Sequence, residues 1–74
     1  MTNTRIETDP NVMQGKPVIR GSRVTVEQIV RECARGLTVQ DIAAAYPRLT
    51  KDDVSAALAF AADYLAGETP NAAQ

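Results

Sequence analysis

A glycine-bounded segment near the amino terminus constrains the fold of this chain more than any other feature. Two β-branched residues, Val18 and Ile19, lie between Gly15 and Gly21, and a proline directly precedes them. β-Branched residues favour strands, whereas glycine and proline favour turns, so the segment predicts a short strand between two turns. Thr25 follows shortly and is a good helix N-cap. A turn, a strand, a turn and a helix start are therefore expected in quick succession.

A partner for this strand is available earlier in the chain. Ile6 and its neighbours can form a first strand, and the run Asp-Pro-Asn at residues 9–11 is typical of a turn. The returning strand would then be Val18 and Ile19. The sequence predicts a short N-terminal β-hairpin.

The first of three predicted helices follows the hairpin. Thr25 with Gln28 three residues later has the pattern of a capping box, and Gly36 supplies a left-handed stop. These signals predict a helix over about Val26–Arg35. Cys33 falls on the same apolar face as Ile29, so we interpret it as a core thiol rather than a reactive one.

The other two helices have equally clear signals. Thr38 caps the second helix and Pro47 ends it, and its apolar residues have helical spacing: Val39, Ile42, Ala43 and Tyr46. Thr50 caps the third helix, which extends to about Ala66 and ends at Gly67. Two carboxylates in its first turn, at residues 52 and 53, complement the helix dipole.

Together these elements predict a mainly α (α+β) fold. A short N-terminal β-hairpin precedes a three-helix, helix-turn-helix-like (homeodomain-like) bundle, and the single domain covers residues 5–67. Residues 1–4 are expected to be a disordered arm and residues 68–74 a disordered tail. The core of a 74-residue chain is marginal, and only 4% of the residues are aromatic. We therefore expect association with a second chain.

Composition argues against several classes of function. The chain has no histidine and one cysteine, which argues against Cys/His zinc sites, a histidine general base and an internal disulfide. No catalytic, cofactor-binding or metal-binding residue is predicted, and neither an enzyme nor a small-molecule substrate is expected. No apolar run approaches the length of a membrane span, and residues 1–4 lack the apolar segment of a signal peptide. A cytoplasmic location without membrane contact is the expectation.

The third helix is apolar around most of its circumference. Ser55 and Asp63 are its main polar interruptions beyond the first turn. Two short helices cannot cover so wide an apolar surface, so part of it should contact another chain. The candidate dimer or partner residues are Ala56, Ala59, Phe60 and Tyr64. The alternative is that the alanines are tolerated on an exposed helix for their propensity alone.

The distribution of cations indicates which residues are candidates for contact with nucleic acid. Formal net charge is −1, which argues against a general nucleic-acid coat. The second and third helices have the lengths of a helix-turn-helix, yet residues 51–53 bring two anions and one cation to the reading position. Lys16, Arg20 and Arg23 are the better DNA-binding candidates because phosphate contact needs clustered donors. Alternatively, these three cations keep an exposed edge strand soluble.

The central segment also resembles a known family. Residues 15–26 read G-K-P-V-I-R-G-S-R-V-T-V, which is similar to the signature of the prokaryotic family called domain of unknown function 433 (DUF433). The resemblance covers roughly residues 5–65, and Ser22 stands where threonine is expected. It implies a short β element followed by three helices in a helix-turn-helix-like arrangement. The family is classed with antitoxin-like proteins, often encoded beside a PIN-like toxin, and the resemblance implies no known reaction.

Three functional hypotheses follow. The favoured one, which rests chiefly on the resemblance, is a homodimeric antitoxin-like protein that binds and neutralises an adjacent PIN-like toxin, with operator DNA as a further partner. The second is a free-standing DNA-binding regulator, and the third is a protein-interaction module with no nucleic-acid role. The neighbouring gene would distinguish them best.

Overall fold

A two-stranded antiparallel hairpin opens the part of the chain that the computed structural model describes, residues 5–67. Strand β1 (Ile6–Glu7) pairs with strand β2 (Val18–Ile19), and Ile6 lies opposite Ile19. The predicted hairpin is confirmed. The predicted N-terminal arm and C-terminal tail lie outside the described residues.

The connection between the two strands contains an unpredicted left-handed turn. Its start is as expected, since the Asp9 carboxylate accepts a hydrogen bond from the Asn11 backbone N–H at 2.9 Å. A short 3₁₀ turn, Met13–Gly15, then has positive φ at all three residues (49°, 60° and 83°). Left-handed backbone costs a residue other than glycine about 1–2 kcal/mol, so Met13 and Gln14 are strained here.

Helix α1 (Val26–Ala34) begins and ends where its signals predict. The Thr25 hydroxyl accepts a hydrogen bond from the Gln28 backbone N–H at 3.0 Å. Gly36 adopts a φ of +100°, a region that other residues resist, directly after the last turn. The prediction of a capping box is wrong in one respect, because the Gln28 side chain donates to Glu32 and Tyr46 instead of reaching back to the cap.

Full capping boxes form at the other two helices. Helix α2 (Val39–Ala45) is capped by Thr38, whose backbone N–H donates to the Asp41 carboxylate at 3.0 Å. Helix α3 (Lys51–Leu65) repeats the arrangement with Thr50 and Asp53, also at 3.0 Å. Asp53 therefore has a specific hydrogen-bonding role in addition to the dipole effect predicted for it.

Side chains from both strands, all three helices and the α2–α3 connection form one core. The buried apolar residues are Ile6, Val18, Ile19, Val26, Ile29, Ile42, Leu49, Val54 and Ala57. Helix α3 packs against both α1 and α2, and Cys33 is half-buried against the core, which agrees with its predicted packing role. A mainly α fold with a small N-terminal sheet is confirmed. Within residues 5–67, no helix has the length and apolar character needed to cross a membrane.

Candidate interaction surfaces

An apolar groove separates the solvent side of α1 from the C-terminal half of α3. Its volume is about 630 Å³. Helix α1 contributes three of its apolar lining residues, and α3 contributes four: Val26, Val30 and Ala34, and Phe60, Ala61, Tyr64 and Leu65. Three of them are large and exposed, with Leu65 at 85%, Tyr64 at 62% and Val30 at 39% of full exposure. We call this surface the apolar groove.

Unequal helix lengths explain why the groove exists. With a rise of about 1.5 Å per residue, α3 is about 22 Å long, whereas α1 and α2 are about 14 Å and 10 Å. Neither shorter helix can cover all of α3, as the sequence predicts. The last turns of α3 therefore keep an apolar face that no other element of residues 5–67 buries fully.

Two aromatic rings form one wall of the groove. Phe60 and Tyr64 are one helical turn apart, and their rings stack with centroids 6.4 Å apart and an interplanar angle of 21°. Phe60 is half-buried and also packs against the core, while Tyr64 is exposed. The pair therefore presents a rigid aromatic surface that is anchored at one end.

The charged rim of the groove consists of one carboxylate paired with two cations. Glu27 Oε2 lies 2.9 Å from Arg31 Nη2, and Glu27 Oε1 lies 3.1 Å from Lys16 Nζ. Hydrogen bonds from Arg31 and then Lys16 hold the pKa of Glu27 below its usual value. A partner that enters the groove therefore meets paired charges with one cation in excess at the edge, and apolar side chains inside.

The structure brings together only some of the predicted interface residues. Phe60 and Tyr64 line the groove, but Ala56 and Ala59 do not. Ala59 follows the buried Val54 by five residues, which places it about 140° around the helix and in solvent. Ala56 is half-buried. Sequence analysis missed Val30 and Ala34, whose i, i+4 spacing beside the buried stripe of α1 was the available signal.

A buried carboxylate links α1 to the end of α2 and was not predicted. Glu32 is only 7% exposed and accepts hydrogen bonds from Tyr46 Oη (2.8 Å), Gln28 Nε2 (3.0 Å) and Arg35 Nη1 (2.6 Å). The hydrogen bond from Tyr46 is the main cause that lowers the pKa of Glu32, and it raises the pKa of Tyr46.

Tyr46→Phe is expected to destabilise the protein in a pH-dependent way. A carboxyl whose pKa is lowered by folding adds stability above its ordinary pKa of 4.5, and that stability is lost as the pH falls through the lower folded value. The stability difference between wild type and Tyr46→Phe should therefore be largest at neutral pH and shrink below pH 4.5. Urea unfolding of wild type and Tyr46→Phe, once at neutral pH and once below pH 4.5, measures this difference in stability. An equal difference at both would contradict the role of Glu32.

A second concave surface lies on the hairpin side of the molecule, with a volume of about 540 Å³. We call it the arginine surface; its lining residues are Glu7, Val12, Gly21, Ser22, Arg23, Val24 and Arg48. Arg48 extends from the α2–α3 connection, and its Nη1 lies 3.5 Å from the backbone oxygen of Gly21. No local pattern in the sequence pointed to Arg48, because its neighbours here are distant along the chain.

The three predicted DNA-binding cations lie in different surroundings. Arg23 is exposed and lines the arginine surface. Lys16 is paired with Glu27 at the rim of the apolar groove, and Arg20 Nε lies 4.0 Å from Glu7 Oε1. Lys16 therefore lies apart from Arg23, whereas Arg20 contacts Glu7 on the arginine surface.

The start of α3 is acidic, as the sequence indicates, and is further occupied by Arg5. The Nη1 atom of Arg5 lies 2.7 Å from Asp53 Oδ1, and its Nη2 atom lies 3.9 Å from Asp52 Oδ2. Hydrogen bonds from the Thr50 backbone and from Arg5 lower the pKa of Asp53. With Lys51 and Arg5 against Asp52 and Asp53, this helix end has no net positive charge to attract a polyanion, which disfavours base reading from α3.

The chain is similar to known proteins in sequence and in fold. A family model described as "Protein of unknown function (DUF433)" matches residues 6–61. The chain is also similar to a crystallised DUF433 member protein from Anabaena variabilis, with 30% sequence identity and a TM-score of 0.78. The match covers 85% of this chain and 62% of that chain, so this chain spans less than two thirds of the relative's length. No curated protein matches.

Proposed function

The chain belongs to the DUF433 family of proteins of unknown function, and we propose that it acts as an antitoxin-like protein of the cytoplasm. In this proposal a homodimer binds and neutralises a PIN-like toxin encoded beside it, and operator DNA is a further partner. The protein acts by binding and carries out no reaction of its own.

The apolar groove is the observation that supports this proposal most. Contiguous exposed apolar surface on a small domain marks sites of protein interaction, and aromatic side chains are enriched at the centres of interfaces. Exposed Leu65 and Tyr64 stand beside half-buried Phe60, an arrangement suited to anchoring a partner.

The shape and charge of the groove indicate what kind of segment the toxin supplies. A groove between two helices suits the apolar face of an amphipathic helix. Since Glu27 is paired with both Arg31 and Lys16, the rim adds only one excess positive charge to an otherwise apolar surface. We therefore assign the groove to an amphipathic helix of the toxin with mainly apolar contact residues.

Dimerisation is the part of the proposal that rests on size. A domain this small gains stability by sharing apolar surface with a second copy. In this proposal the dimer contact is made by Ala56 and Ala59, the predicted interface residues that do not line the groove. Helix α3 then contacts both the second copy and the toxin. Sedimentation of the protein alone is expected to show dimers, and monomers at high micromolar concentration would contradict dimerisation without affecting the toxin-binding groove.

Two alternatives differ in the surface that matters. A free-standing DNA-binding regulator would depend on the arginine surface and would not need the apolar groove. An interaction module without a nucleic-acid role would depend on the groove alone. Each makes a different surface dispensable, so variants of the two surfaces distinguish them.

Co-expression with the neighbouring reading frame tests the proposal. The product of that gene alone is expected to arrest growth, and co-expression is expected to relieve the arrest and to yield a complex that purifies as one species. A product that arrests growth but is neither bound nor relieved would contradict the antitoxin role. A product that is bound without arresting growth would favour the interaction module.

A further inference from the structure

Two arginines differ from the other arginines of the described chain. Within residues 5–67, several cations lie within 4.0 Å of a carboxylate oxygen: Arg5, Lys16, Arg20, Arg31 and Arg35. Arg23 and Arg48 have no carboxylate partner among these residues, and both line the arginine surface. Lys51 is likewise unpaired within the described range but does not line it. The two arginines without a carboxylate partner in residues 5–67 therefore lie on the same concave surface.

The fold brings these two arginines together from separate segments. Arg23 belongs to the turn between β2 and α1, and Arg48 to the connection between α2 and α3. Between them lies Gly21, which has a φ of +79° and no heavy atom within 4 Å of the position a Cβ would occupy. A ligand can therefore approach the backbone closely at this point.

The chemistry of this surface suits phosphate. A guanidinium group carries several N–H donors in a fork that matches the oxygens of a phosphate, and exposed guanidinium groups without carboxylate partners are available to bind them. Glu7 is the carboxylate that lines the surface, and Arg20 partly offsets its charge at 4.0 Å. The surface is concave and both of its arginines are exposed, which fits contact with a backbone of repeated phosphates.

We infer that the arginine surface contacts the phosphate backbone of duplex DNA through Arg23 and Arg48, and that Lys16 takes no part. This inference rests on the operator-binding part of the proposed function and changes the residues responsible for it. Because the arginine surface and the apolar groove share no lining residue, DNA and the toxin can be bound at the same time.

A titration against salt concentration tests the inference. The probe is a labelled duplex of the sequence upstream of the protein's own gene, with a scrambled duplex beside it, and binding is followed by fluorescence anisotropy. In the Arg23→Gln/Arg48→Gln variant, the slope of log affinity against log salt should flatten by about two units per bound chain, since each phosphate contact contributes about 0.9. Affinity should fall for both duplexes alike, because backbone contacts carry little sequence information.

A matched control removes the same charge elsewhere. Lys16→Gln/Arg31→Gln neutralises two cations at the rim of the apolar groove and should leave the slope unchanged. Glu7→Gln removes the carboxylate from the arginine surface and should tighten binding, a gain that a damaged fold cannot mimic. Equal flattening in both double variants, or weaker binding by Glu7→Gln, would overturn the inference.

Failure of this inference is distinguishable from failure of the proposed function. The Arg23→Gln/Arg48→Gln variant should still bind the neighbouring gene product, since the groove is unaltered. If wild type binds that product but no duplex at low salt, the inference is overturned and toxin binding stands. If it binds anionic phosphatidylglycerol vesicles through the same arginines and no duplex, a lipid headgroup is the phosphate source and the inference is overturned.

Discussion

Leu65→Glu is expected to weaken partner binding strongly while the domain stays folded. Leu65 is 85% exposed at the end of α3, so folding buries little of it, yet it lines the apolar groove. A carboxylate forced into an apolar contact must be desolvated without a partner. Loss of an interface anchor typically costs 2 kcal/mol or more, which corresponds to a reduction in affinity of about 30-fold. Calorimetric titration with the neighbouring gene product measures it.

Ala62→Glu is the matched control for Leu65→Glu. Ala62 is also exposed near the end of α3 but does not line the groove, so the same carboxylate meets the same helix dipole outside the contact. Its affinity should stay close to that of wild type. Equal losses in the two variants would show that general charge repulsion, rather than the groove, governs binding.

Ile29→Ala is expected to lower the free energy of unfolding more than Tyr46→Phe or Val30→Ala does. Ile29 is fully buried in α1 and belongs to the core shared by the hairpin and the helices. Removing a buried isoleucine side chain to Ala typically costs about 2–5 kcal/mol, partly as lost transfer free energy and partly as a cavity. In a small domain of about 5 kcal/mol total stability, a loss of this size leaves much of the protein unfolded. Urea unfolding followed by circular dichroism measures the change.

The next residue along α1 supplies a control of similar chemistry. Val30 is 39% exposed and lines the groove, so Val30→Ala should cost less than about 1 kcal/mol of stability while still weakening partner binding. The pair thus separates the core face of α1 from its groove face. Similar stability losses in Ile29→Ala and Val30→Ala would mean that the boundary between these faces is misplaced.

The order of elements was predictable because its signals are local. Threonine caps, positive-φ glycines at positions 21 and 36, and Pro47 act on the residues beside them, and each signal appears in the structure where the sequence places it. The left-handed turn at Met13 and Gln14 was not predictable in the same way. Neither residue type favours positive φ, so the surrounding hairpin has to impose it.

The groove was only partly predictable. The apolar pattern of α3 identified Phe60 and Tyr64 but grouped them with Ala56 and Ala59, because a single helix does not reveal which of its faces its neighbours will cover. That depends on the lengths of α1 and α2 and on how they pack. Val30 lines the groove for the same reason. It belongs to α1, and no pattern in the sequence linked α1 to the groove face of α3.

Contacts between distant segments account for what the sequence missed elsewhere. Glu32 is buried because Tyr46 reaches it from the end of α2, and Arg48 joins Arg23 because the α2–α3 connection passes over the turn at Gly21. No local sequence pattern around Glu32 or Arg48 indicates these contacts. They follow from the packing of complete elements.

Inhibition of the neighbouring gene product tests the central claim most directly. In the proposed function that product is a PIN-like ribonuclease, so it is expected to cleave RNA, and an equimolar amount of this protein should stop the cleavage. Ala62→Glu should inhibit as well as wild type, whereas Leu65→Glu should inhibit much less because its affinity is about 30-fold lower. Undiminished cleavage in the presence of wild-type protein, or full inhibition by Leu65→Glu, would contradict an antitoxin that acts through the groove between α1 and α3.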